Sequence, residues 1–297
     1  MAGRPELALS AELVRDRAAD GGAVRAGRRA LNPRLVVGGL ILVFFIVVAL
    51  LAPLLAPHDP LLPNPARSLA EPGGEYLLGN DEFGRDVLSR LIFGARISMQ
   101  VSIVSIALAL AAGTLAGLAA GYYGGAIDLL VMRGADVLLS IPPVLLAIGV
   151  VAILGPSIPN LILTIAILYT PRFARVAYAS TKGVAGLDYV LAERALGAGD
   201  ARVLRKAILP AIHAPLIVQG SLALGAAMLL ESGLSFIGLG AQPPTPSWGS
   251  MVSSARTVME RVPFLVLFPS LALAAAILSF NILGDGVRDA LDPRSRG

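Results

Sequence analysis

Apolar residues gather along the chain into long uncharged blocks, and the blocks have the length of membrane-crossing helices. Leu35 to Pro57 is an uncharged run of 23 residues, enough for a helix through a hydrocarbon core of about 30 Å. It exceeds the roughly 7 to 15 residues of a signal-peptide core, and the basic segment before it is unusually long, so it reads as a retained signal anchor. Ile97 to Ile127 carries no charge and predicts a second span plus a turn at Gly121 to Gly125. Leu129 to Leu154 predicts a third, bent at Pro142 and Pro143, with Arg133 and Asp136 paired at helical spacing near its start. Ser157 to Ala179 is the fourth, its uncharged part ending at Thr170. Ile212 to Gly238, with Glu231 near its far end, is the fifth, and the 22 uncharged residues Val262 to Leu283 form the sixth. The pattern predicts an all-α polytopic membrane protein of six transmembrane helices. Its parts are a tail over 1–34, a first helix over 35–57, a loop over 58–96, a five-helix core over 97–284 and a second tail over 285–297.

The polar interludes have their own pattern. Pro53, Pro57, Pro60, Pro63 and Pro65 mark the exit from the first span. Within the following loop Asn80 is placed to cap a short amphipathic helix, with Phe83, Val87, Leu88, Leu91 and Ile92 on one face. In the second span Gly113, Gly117 and Gly121 recur every fourth residue, a smooth strip for close helix packing. Pro243, Pro244, Pro246 and Trp248 read as an external turn with an interfacial aromatic. The stretch Tyr189 to Pro210, inside a loop over 180–211, predicts two short helices around an elbow. Gly197 can take the left-handed conformation that ends the first, Asp200 can cap the second, and Pro210 stands where the next span can start.

Composition agrees with the pattern: 56% of the residues are hydrophobic, 15% are charged and the mean hydropathy is +0.76. The formal net charge of +4 and pI near 9.7 do not point to nucleic acid, because 18 of the 24 basic residues fall in segments on one side of the six-helix topology. That bias puts both termini and the Tyr189 to Pro210 elbow in the cytoplasm.

Catalytic chemistry is poorly supplied. There is no cysteine, and no G-x-x-x-x-G-K-[S/T] phosphate loop. The two histidines are His58 and His213. His213 lies 22 residues from Ser235, roughly 33 Å apart on one helix, too far for a hydrolase pair. The reading is a transport subunit with no catalytic residues, no cofactor and no metal, and any ATP-driven work requires a partner chain.

Tyr189 to Pro210 resembles the cytoplasmic "EAA" loop of permease subunits of binding-protein-dependent ABC importers, usually close to Y-V-E-A-A-R-A-L-G-A-S-D with a basic-apolar helix and I-L-P after it. Leu78 to Ser98 is similar to the L-G-T-D-x-x-G-R-D-V-L-S-R-L-I-Y-G-A-R-I-S signature of the dipeptide/oligopeptide/nickel branch. Glu231 to Gly240 and Gly284 to Pro293 also resemble that branch, in its "C"-type permeases. The resemblance covers about residues 35 to 293. It implies the type I ABC importer permease fold and import of di- or oligopeptides across the cell membrane. It also implies a second homologous permease, two cytoplasmic ATPase subunits and an extracytoplasmic solute-binding protein. Carried over residue by residue, the ATPase-coupling positions are Tyr189, Ala192, Glu193, Ala195, Leu196, Gly197, Asp200 and Pro210, while Glu231 takes a structural or external gating role. The sequence departs from the motif at Leu191, which stands in place of its leading Glu; Glu193 carries the charge two positions later, about 200° around the helix. Two alternatives stay open: a nickel or metal-chelate importer of the same branch, and an ion-coupled secondary transporter working alone.

Overall fold

The computed structural model describes residues 33–291, so the arginine-rich stretch before Pro33 and residues 292–297 lie outside it. The helices are α1 (Pro33–Leu50), α2 (Ala52–Leu55), α3 (Val87–Tyr123), α4 (Gly125–Ser140), α5 (Pro143–Leu154), α6 (Ile158–Ala185), α7 (Asp188–Ala195), α8 (Asp200–Val203), α9 (Leu209–Phe236), α10 (Trp248–Ala255) and α11 (Phe264–Leu291). A π-helical turn, Leu204–Ile208, joins α8 to α9. Among the described residues there are no strands, only isolated bridges at Gly73 with Tyr76 and Asn80 with Asp86. Five helical stretches are long and apolar enough to cross a membrane, one of them α8 and α9 taken through the π turn. The pair α4 and α5, bent by 97°, makes a sixth when taken as one broken span.

The spine of the bundle is α3 against α6, and glycine makes it possible. A Cβ added at Gly113 would lie 2.5 Å from the carbonyl oxygen of Thr170, one at Gly117 2.2 Å from that of Ala174, and one at Gly121 2.7 Å from Thr181 Cβ. The strip expected from the sequence is therefore a packing surface in which backbone meets backbone. Behind it Phe173, Leu161, Ile165, Ile208 and Ile212 are buried in one core. A second core holds Phe45, Met99, Met228, Trp248 and Phe280. In it α1 runs against α11: Gly38 packs on the backbone at Leu283, Gly286 on that at Leu35, and Arg34 reaches Asp289 at 3.1 Å. Leu40, Phe44, Leu115, Leu130 and Ile153 point outward, as helices solvated by lipid tails allow.

Several local expectations change. The amphipathic helix does not begin at Asn80. Residues 79 to 86 fold as turns, and the helix starts at Val87, where Asp86 caps it by accepting from the Ser89 amide at 3.0 Å. It then runs unbroken through the second span to Tyr123, because no helix-breaking residue separates the two segments. Asn80 is instead fully buried, its side-chain amide donating to the Gly84 carbonyl at 2.9 Å. Asp81 gathers the loop: it accepts from Arg85 Nε at 2.7 Å and lies 3.2 Å from Arg90 Nε, while Arg90 donates to the carbonyls of Pro60 and Pro244. The carboxyl of Glu82, next to Asp81, is raised above the usual range by burial and then by its acidic neighbour. Thus Asp81, Arg85 and Arg90 of the Leu78 to Ser98 signature tie the loop to the start of α3 and to the turns at Pro60 and Pro244. Trp248 faces the protein interior and not the surroundings; it is 1% exposed, with its indole N–H donating to the Leu91 carbonyl at 3.0 Å and its ring against Gly94 and Phe45. Asp136 pairs with Arg175 of α6 rather than with Arg133, since adjacent helices bring the guanidinium closer than the same-helix neighbour.

Candidate functional site

The elbow between α6 and α9 forms from local sequence. After α6 stops at Ala185, Asp188 opens α7 with a negative charge where the helix dipole favours one. Leu196 is the C-cap, and Gly197 takes φ = +81°, which L side chains adopt only at a cost. Its amide bonds the Arg194 carbonyl at 2.9 Å, and the Ala198 amide bonds the Glu193 carbonyl at 3.1 Å. This is the Schellman termination. Asp200 does not cap the second helix. Gly199 holds that position, and Asp200 is the first helical residue, its carboxylate turned to Tyr122. As expected, the next span opens with Pro210 in the first turn of α9, where its missing N–H costs little; the π turn leads α8 directly into it.

Burial divides the elbow into an anchored face and a free one. Val190, Val203, Ala207 and Ile208 enter the main core, and Ala198 packs against it. Ala192, Ala195 and Gly197 are exposed, and with them stand Tyr189 at 46%, Leu191 at 47% and Leu196 at 87%. A leucine held that far out of the core on a rigid turn offers an apolar contact that none of the described residues covers. Glu193 lies on the other side of α7, half-buried, with Oε2 enclosed and without a hydrogen-bond partner among the described residues. The displaced acidic residue therefore faces inward, while Leu191 occupies the outward position.

Sequence reading missed Tyr122, at the end of α3. Its hydroxyl donates to Asp200 Oδ1 at 2.7 Å and accepts from Arg194 Nε at 3.2 Å, and the Arg194 guanidinium stacks 4.4 Å from the ring centre. One side chain thus touches both arms of the elbow. The only local signal was an aromatic pair, Tyr122 and Tyr123, just before Gly124 and Gly125; nothing in the sequence says which of many acidic residues it meets.

Glu231, near the far end of α9 as expected, is fully buried. It accepts from Ser235 Oγ at 2.8 Å and Ser232 Oγ at 3.2 Å. Gly240 closes onto Ser235, and Gly249 onto the Ser232 backbone. The carboxylate belongs to the joint between α9 and the α10 hairpin. Among the described residues no group of three or more acidic or histidine side chains is placed to hold a metal ion.

A bundle of about six spans, a broken third span and a glycine elbow with a free apolar face define a polytopic type I ABC permease. The comparisons narrow this. Residues 113–297 match the family described as the binding-protein-dependent transport system inner membrane component, and residues 30–72 match the N-terminal TM domain of oligopeptide transport permease C. The chain belongs to the first of these families. It is 42% identical over 89% of its length to the dipeptide transport system permease protein DppC of Alkalihalophilus pseudofirmus, covering 87% of that protein. It is 44% identical over 86% of its length to the di/tripeptide transport system permease protein DppC of Pseudomonas aeruginosa, again covering 87%. A glutathione transport system permease protein, GsiD of Pectobacterium atrosepticum, is 41% identical over 90% of this chain and 89% of its own. Among solved structures, an inward-facing MetNI methionine ABC transporter shares the fold at TM-score 0.53 and 16% identity, over 68% of this chain and 96% of that one.

Proposed function

We propose that this chain is the permease subunit of an ATP-driven importer of di- and oligopeptides, contributing half of the translocation pathway beside a second homologous permease. Two ATPase subunits bind from the cytoplasm and a solute-binding protein delivers cargo from outside. The observation that carries this reading is the elbow: α7 is anchored behind by Val190 and Val203 and presents Leu196 and Tyr189 outward, a rigid knob for a cleft in an ATPase subunit. Both termini and the elbow are cytoplasmic in this reading, in keeping with the distribution of Lys and Arg. Peptide cargo is supported by relatives named for dipeptides, di/tripeptides and glutathione, itself a tripeptide.

The test is reconstitution in liposomes with the candidate ATPases, second permease and binding protein. Labelled dipeptide should accumulate only with ATP and binding protein present. Uptake by this chain alone, driven by an ion gradient without ATP, would establish the secondary-transporter alternative; ATP-driven uptake of nickel chelates and not peptides would move the cargo to the other arm of the branch.

A further inference from the structure

We infer that Tyr122 is the positioning residue through which the elbow moves the broken span, a role that rests on the ATPase-docking reading above. Three observations converge on it. First, Tyr122 grips both arms of the elbow, α8 through Asp200 and α7 through Arg194. Second, it stands one residue beyond Gly121, the last glycine of the strip, and two before Gly124. Up to Gly121, α3 is locked backbone to backbone on α6 and cannot slide; at Gly124 and Gly125, with φ of +67° and +58°, the chain turns into α4. An added Cβ at either of these two glycines meets nothing within 4 Å, so no side chain wedges the link. Third, α4 is held to α6 by polar ties as well as by packing at the buried Ala135. Asp128 accepts from the Tyr178 hydroxyl at 2.8 Å and lies 3.6 Å from Lys182 Nζ, and Asp136 pairs with Arg175. These ties are mostly exposed and can remake as α4 swings.

Besides its continuity with α9, the elbow has a route through Tyr122. A displaced elbow pulls on Tyr122, α3 resists, and the movement passes into the Gly124 to Gly125 hinge, carrying α4 and the 97° break at Ile141 and Pro142 with it. Tyr122 touches no cargo in this scheme and acts through the hinge.

The experiment uses the full complex in liposomes, with peptide uptake and ATP hydrolysis measured in parallel for the wild type, Tyr122→Phe, Asp200→Ala and the double variant. Tyr122→Phe keeps the ring and its Arg194 stacking; Asp200→Ala removes the acceptor from an exposed site and carries the test independently if the first variant assembles poorly. Asp200→Ala should lower peptide moved per ATP by about three- to tenfold, the range for loss of one hydrogen bond, and Tyr122→Phe, which also loses the Arg194 bond, by at least as much. The ATPase should co-purify at wild-type levels with Tyr122→Phe, which lies outside the coupling positions, and the double variant should be no worse than the worse single, since Tyr122→Phe already breaks the bond that Asp200→Ala removes. A ratio unchanged in both single variants, or losses that multiply in the double, overturns the inference while leaving docking intact. Failure of the ATPase to co-purify with the wild-type chain overturns the docking reading and the inference with it.

Discussion

Gly197 carries φ = +81° with open space where a Cβ would stand, so any penalty for a side chain there comes from the backbone alone. For an L residue that is about 1 to 2 kcal/mol, and a β-branched one suffers most. Gly197→Val should therefore reach the membrane in normal amount yet bind its ATPase poorly, whereas Gly197→Asn, tolerant of this conformation, should retain binding. Co-purified ATPase per permease reads the difference; equal recovery for both variants would show that the turn's conformation is not what the partner requires. This residue was legible in the sequence, because a glycine after an Ala/Leu/Glu/Arg helix has few other uses. Asp200 was half legible: its place at the start of α8 follows from local rules, but its partner Tyr122 is 78 residues away and only the packing of α3 brings it there.

Helix by helix, the long elements follow from their uncharged stretches, and the errors cluster at their ends. The sequence pattern separates an amphipathic helix from the second span, yet α3 is a single helix, since the change from a one-sided to an all-round apolar pattern alters what surrounds the helix and not its hydrogen bonding. The α3 and α6 contact is where an element-level test is sharpest. Gly117→Val would force a methyl-bearing carbon to within 2.2 Å of the Ala174 carbonyl oxygen, a backbone atom that cannot retreat. Overpacking of this kind costs about 1 to 3 kcal/mol or more. Gly149→Ala on α5, with nothing within 4 Å, should be neutral or slightly stabilising. The thermal midpoint in detergent should fall clearly for the first and hold for the second; a similar midpoint for both would mean that the two helices separate more readily than their interface implies.

For the whole molecule, the absence of cysteine from the chain permits single-cysteine mapping of its orientation. In cells that lack the ATPase subunits, Leu62→Cys in the Pro-rich loop should react with a membrane-impermeant maleimide while the cells are intact, and Ala195→Cys only after permeabilisation; both positions are exposed in the chain itself. The reverse pattern would invert the topology and remove the elbow from any cytoplasmic ATPase. What the sequence by itself determined is the class of molecule, the approximate spans, the glycine strip and the elbow, because each depends on residues near one another in the chain: the length of an apolar run, a four-residue repeat, a left-handed turn. Only the tertiary structure decided that Trp248 is a buried plug, that Glu231 closes an internal joint, that Asp136 answers to α6, and that Tyr122 holds the elbow. Those are pairings between distant segments, and a side chain's type states what it can bond with but not which of several equivalent partners the packed helices will set beside it.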